Sequence, residues 1–258
     1  MKKALVLLIG AALLAAPVFA QDTTNTASMN GLGVSFPSSF ATSIVGVPFA
    51  GDALDNMYPG GPQPAYTDLM FFTEPPAPQS LLEHGGVRMV HVADAADYEF
   101  TQGQIDALAA LLAERPDLTE FMKSADNLSE ITLPFLPTFP AAQVLRARAE
   151  YVETPELNGI VYVTAYRQDA SPLLASEFLY TFQGLTPDGI TYVAAVFPVT
   201  APDFPAEFPA DFDYDAFIAG INDYFAESIA TLNAADGEAF VPALSTLDGI
   251  IQSITVGE

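Results

Sequence analysis

Arg146, Arg148 and Arg167, three of the eight lysines and arginines in the chain, fall in one stretch. That stretch reads as a β-hairpin of Val144–Tyr151 and Ile160–Gln168. If its register sets Arg146 near Tyr166 and Arg148 near Thr164, then Arg146, Arg148, Tyr162 and Tyr166 share a face. Planar guanidinium groups beside tyrosines on a rigid sheet have the donors and geometry to hold a carboxylate or another anion. The plainer account is Arg–Tyr stacking across strands with Glu150 as ionic partner, worth ~0.2–1 kcal/mol per pair. Register decides between them, because a slip of one residue sends the cluster to both faces.

Other chemistry has less to work with. There is no cysteine, no G-x-S-x-G elbow, and the two histidines are His84 and His91. His91 alternates with Val90 and Val92 in an expected strand, and His84 lies beside Gly85-Gly86 in a turn. Both read as structural or solvated, outside any zinc-binding spacing. Asp211, Asp213 and Asp215 form a D-x-D-x-D run, but a calcium loop would need glycine at Ala216 and glutamate at Asn222. Their place before a helix instead suits N-terminal capping. With 32 acidic residues, facing carboxylates arise by chance, so a hydrolase would have a site the sequence does not single out. No metal and no cofactor is implied.

The elements that position these residues centre on Glu177–Val199, EFLYTFQGLTPDGITYVAAVFPV. It reads as two strands around the turn Thr186-Pro187-Asp188-Gly189, with Leu185 facing Ile190. Phe178, Tyr180 and Phe182 then join Val193, Ala195 and Phe197 on one face. Leu179, Thr181 and Gln183 meet Tyr192, Ala194 and Val196 on the other. Both faces are largely apolar, which places this hairpin centrally and covered on both sides.

With the Arg/Tyr hairpin, whose turn is expected at Asn158-Gly159, it forms a four-stranded meander. Earlier strands are expected at Leu32–Phe36, Ala41–Phe49, Thr67–Thr73 and Gly86–Val92. Helices are expected from Thr101, with a Thr101/Gln104 capping box, to Pro116, and at Asp117–Ala125, Asp213–Leu232 and Pro242–Ile254. Ile131–Pro140, ITLPFLPTFP, is apolar but has three prolines, so it should lie across the sheet as an irregular lid. The fold class is therefore α+β: a mainly antiparallel sheet with helices on both faces.

The N-terminus has a secretory pattern: Lys2 and Lys3, an apolar run Ala4–Ala16, and a small-x-small site at Val18-Phe19-Ala20. Cleavage after Ala20 predicts a periplasmic or extracellular protein with a polar mobile leader, residues 21–30, and one globular domain, residues 31–258. No later run is apolar enough for a transmembrane anchor. The mature chain would carry 6 lysines and arginines against 32 acids, a net charge of −26. Such a surface repels nucleic acid and anionic headgroups. At 50% hydrophobic residues it coats a real core.

Several phrases taken together resemble a family of uncharacterised bacterial exported proteins and lipoproteins. They are PFLP at Pro134–Pro137, AAQ at Ala141–Gln143, YTFQGLTPDG at Tyr180–Gly189, FPV at Phe197–Val199 and the closing LDGIIQSITV. The resemblance carries no catalytic residue, and this chain lacks the anchoring cysteine of the lipoprotein members. The strand GVSFP and the final SITV are similar to the ends of PsbP-like α/β/α domains, which implies a binding or assembly fold. The expected function is an exported, non-enzymatic binding or assembly module whose partner is an unidentified ligand or envelope protein. The alternative is a carboxylate-based hydrolase.

Overall fold

Alternation along the central hairpin sets the architecture. In β8 (Phe178–Leu185) and β9 (Thr191–Val199), Phe178, Tyr180, Phe182, Val193, Ala195 and Phe197 enter one buried cluster. Leu185, Tyr192, Ala194 and Val196 enter a second. The register pairs Leu185 with Tyr192 and Tyr180 with Phe197, two residues from the expected Leu185–Ile190 pairing. A slip of two preserves the faces because side chains alternate with period two. The computed structural model describes residues 23–56, 59–73, 80–122 and 132–257, so the signal-peptide reading of residues 1–20 lies outside the described residues.

The protein is α+β. Its main sheet is antiparallel with seven strands in the order β3-β4-β5-β9-β8-β7-β6. Besides the central hairpin it contains β3 (Ser43–Phe49), β4 (Tyr66–Phe72), β5 (Gly86–His91), β6 (Ala142–Glu153) and β7 (Asn158–Arg167). β6 to β9 form the expected meander. The β6–β7 turn falls at Thr154–Leu157, where Thr154 N–H donates to Leu157 O, and not at Asn158-Gly159. Gly159 sits inside the sheet opposite Gly184, and a Cβ on it would come within 2.6 Å of the Phe182 ring. The ring occupies the space two side chains would fill.

A second sheet, in the order β1-β2-β10, consists of β1 (Thr24–Met29), β2 (Leu32–Pro37) and β10 (Thr255–Val256). This corrects the mobile-leader reading: Thr24–Met29 is a strand paired to β2 through the two-residue turn Asn30-Gly31. Both turn residues have positive φ, 49° and 85°, which is the turn an Asn-Gly pair favours.

α1 (Leu81–His84) is a single turn before β5. α2 (Glu99–Glu114) contributes Ile105, Leu108 and Leu111 to the cluster holding Tyr192 and Val196. It begins at Glu99, so Thr101 is a buried interior residue and not a cap. The expected helix after Pro116 is a 3₁₀ turn, Leu118–Met122. Asp213 caps α3 (Tyr214–Ala219) by accepting from Ala216 N–H at 3.0 Å, as its capping role required. Gly220 then separates α3 from α4 (Ile221–Ala234), dividing the single helix expected there. α4 and α5 (Leu244–Gln252) place Phe225, Ile229, Leu232, Leu247, Ile250 and Ile251 in the other cluster, with Phe182 and Phe197.

Replacing Phe182 by Ala is expected to lower unfolding free energy by ~3–5 kcal/mol, through lost burial and the cavity left over Gly159 and Gly184. An unchanged urea midpoint would show that the ring is not core. A second prediction concerns α5, where Tyr180 donates a hydrogen bond to Asp248. Burial raises the Asp248 carboxyl above 3.8, partly offset by that bond. A carboxyl raised by folding favours the protonated folded state, so its contribution is complete below 3.8 and disappears as pH rises through the raised value. Asp248→Asn removes this dependence, and wild type should lose stability relative to it across that window. A stability gap independent of pH would refute the assignment.

Candidate functional site

The four sequence-selected residues do not share a face. Arg146 pairs with Thr164 and lies on the side of Tyr162 and Tyr166, but a bulge between Ala147 and Glu150 breaks the alternation after it. Arg148, at φ 55°, occupies the bulge. Its Nη1 donates to the Ala235 carbonyl at 2.7 Å and the Leu232 carbonyl at 3.1 Å, and its amide donates to Asn233 Oδ1 at 2.6 Å. Arg148 therefore caps the C-terminus of α4, where the helix dipole favours a cation. The bulge is the reason the predicted cluster divides. An arginine in left-handed backbone gives no sequence signal of the kind glycine or asparagine would.

Arg146 is fully buried. Its Nε donates to Phe121 O at 3.0 Å and its Nη1 to Gln143 O at 2.6 Å. Burial lowers its pKa, and Tyr162 and Tyr166 pull the other way. Tyr162 is also sealed in, donating to Pro134 O at 2.6 Å, while Tyr166 accepts from Gln143 Nε2 at 3.1 Å. Burial pushes both phenols well above their usual range, so they stay protonated. Arg167, at the end of β7, ion-pairs with Glu177 and donates to Pro172 O. These arginines serve as internal donors to the fold rather than as an open anion seat.

Beside Tyr162 and Tyr166 lies the irregular segment, described from Thr132 to Pro140. Leu133, Phe135 and Leu136 are buried with Tyr162, Tyr192 and Ile160. With no regular ladder, its backbone is satisfied by glutamine side chains. Gln143 accepts from Leu133 N–H at 2.8 Å and donates to Leu133 O at 3.3 Å. Gln183 makes the same pair with Leu136, at 2.9 and 3.3 Å. Gln104, on α2, accepts from Phe135 N–H at 2.9 Å. A primary amide offers a donor and an acceptor side by side, as a neighbouring strand's peptide group would. Tyr192 donates to Gln183 at 2.7 Å and Gln183 donates to Thr181 at 2.7 Å, so the anchoring amide is itself held.

Glutamines carry no charge, and their types and spacing alone mark no chemistry. Gln183, between Phe182 and Gly184 in a strand apolar on both faces, was the available signal, because a buried amide there requires partners. Also outside the sequence-selected residues is Arg88 on β5, which forms a bidentate pair with Asp68, both bonds 2.8 Å, donates to Gln63 at 2.7 Å and stacks 3.5 Å over the Tyr66 ring. His84 packs against Phe72 with ring centroids 5.1 Å apart, and His91 is exposed at a strand end beside Thr191. No group of histidines and carboxylates among the described residues is placed to hold a metal ion.

Between the pinned segment and the start of α2 opens a cleft of about 390 Å³. Phe100, Phe135, Phe139 and Tyr166 line it, with the amides of Gln104 and Gln143. Phe100 and Phe139 are 58% and 41% exposed, so large apolar surface is presented to solvent at its rim. Phe135 and Phe139 each pack against Tyr166, at 5.0 and 5.4 Å between centroids. The cleft therefore offers aromatic walls with amide and phenol groups at its base. Among the described residues its lining contains no carboxylate and no histidine.

Gln183→Leu keeps the volume but strands the Leu136 peptide groups, at about 1–3 kcal/mol for each orphaned group. Hydrogen exchange at the Leu136 amide is expected to accelerate roughly tenfold or more, ahead of the strands. An unchanged exchange rate would mean that the amide does not hold the segment. Comparison of the chain with family models, curated proteins and solved structures finds no match.

Proposed function

We propose that the protein is an exported, non-enzymatic binding module of the cell envelope or its surroundings, and that its ligand sits in the cleft beside the pinned segment. The observation that carries this reading is the cleft itself: a preformed, aromatic-walled concavity in the volume range typical of small-molecule sites. Phe100 and Phe139 at its mouth, 58% and 41% exposed, still present apolar ring surface to solvent. The wall is stiff, because glutamine and tyrosine side chains anchor it from beneath. Little ordering cost then falls on the ligand.

The lining favours an uncharged ligand with a flat or apolar face. Aromatic rings take the face, while Gln104, Gln143 and Tyr166 offer neutral hydrogen-bonding groups. A carboxylate-based hydrolase would need an acid and a base there, and the described lining residues include neither a carboxylate nor a histidine. The export reading rests on the N-terminal pattern, the acidic surface and the resemblance to exported proteins. The two buried clusters, one holding α2 and one holding α4 and α5, favour the layered module that the PsbP-like resemblance implies.

Titration with Nile red, a neutral apolar probe, tests the cleft. Wild type should show saturable binding, and a Phe100→Ala, Phe139→Ala double variant with unchanged circular dichroism should bind roughly tenfold more weakly. Equal affinity in the two proteins would remove this cleft as the seat.

A further inference from the structure

The proline-punctuated segment after β9 and the α3–α4 pair border an open pocket of about 530 Å³. Four half-buried rings line it: Phe204, Phe212, Phe217 and Tyr224. Three of them are contiguous, with Phe212 and Phe217 centroids 5.4 Å apart and Phe217 and Tyr224 5.0 Å apart, while Phe204 packs on Phe178. Tyr224 is fixed in place because its hydroxyl accepts from Leu173 N–H at 2.7 Å. Four exposed carboxylates, Asp203, Asp211, Asp213 and Glu227, share the lining with prolines and two hydroxyl side chains, and among the described residues it contains no lysine, arginine or histidine.

Aromatic faces carry negative quadrupole potential, and carboxylates carry full negative charge. Together they are complementary to a cation with an apolar skin, which loses little hydration when it enters. A methylated ammonium has that character, and aromatic cages recognise it through cation–π attraction. A compact metal ion would need oxygen ligands converging at about 2.0–2.6 Å, which rings do not supply. An anion would be repelled. The protein's net charge of −24 adds a long-range field that concentrates cations near the rim.

We propose that this cavity is a binding site for a small quaternary ammonium compound, separate from the cleft beside the pinned segment. Cation–π attraction to the rings supplies selectivity, and the rim carboxylates supply capture.

Isothermal titration calorimetry at low ionic strength tests it, with choline as the probe and 3,3-dimethylbutanol as its neutral isostere. Choline should bind saturably, and the isostere roughly tenfold or more weakly. Phe217→Ala should weaken choline by a similar factor, while Phe217→Tyr should retain it. Because Phe217→Ala also removes packing against Tyr224, the surface variant Glu227→Gln provides a second readout: weaker binding with a smaller salt dependence. Phe100→Ala, Phe139→Ala should leave choline affinity unchanged, which separates this site from the proposed ligand cleft. No saturable binding, equal affinity for the isostere, or insensitivity to both Phe217→Ala and Glu227→Gln would overturn the proposal. Tighter binding of butylammonium, the head of a lysine side chain, would also overturn it by assigning the pocket to a protein's lysine.

Discussion

A peptide group removed from water must find a hydrogen-bond partner, and most of this molecule follows from meeting that demand on a sheet that is dry on both sides. β7, β8 and β9 bury residues of alternating parity in two different clusters, so neither face offers solvent as a partner. An apolar segment with three prolines lies against one of those faces without forming a strand. Its amides and carbonyls are met by Gln104, Gln143, Gln183 and Tyr162. Each of those side chains comes from an element whose backbone is already satisfied. Shifting the segment would leave both its own groups and theirs unpaired, which fixes its position more strictly than apolar contact alone.

The same demand explains where the cations go. Arg88 closes on Asp68 and Gln63, Arg146 serves two backbone carbonyls, Arg148 takes the end of α4, and Arg167 pairs with Glu177. Four guanidinium groups thus act as internal donors, with geometry a lysine would not reproduce. Arg115 forms an exposed pair with Glu153 and lies over the Tyr151 ring. The acidic residues remain largely on the surface with few counter-charges. A strongly negative exterior and an arginine-laced interior are two consequences of how few cations this chain has.

Two concavities lie in parts of the chain held by different means. The first is walled by the glutamine-pinned segment and is neutral in its lining. The second is built from helix packing and a proline-punctuated linker, and its rim is acidic. The two linings therefore differ in charge. Buried hydrogen bonds brace the wall of the first, and in the second Tyr224 is held by the Leu173 amide.

The fold class, the central meander and the main helices were legible in the sequence because they rest on local signals: alternation in Phe178–Val199, helical spacing in Ile105–Leu111, and a capping aspartate at Asp213. The hairpin slipped by two residues without consequence, since the faces depend only on parity. The polar strand before Asn30-Gly31 lacks apolar alternation, and only pairing with β2 makes Thr24–Met29 a strand. The candidate site was less legible. Whether Arg146 and Arg148 share a face depends on a bulge set by packing against α4, and the partners of Gln143 and Gln183 lie 10 and 47 residues away in the chain. The sequence by itself determined the periodicity with which apolar side chains of the main strands and helices face the core. Tertiary structure decided which polar groups would meet, because hydrogen-bond partners distant in the chain are chosen by geometry and leave no periodic trace.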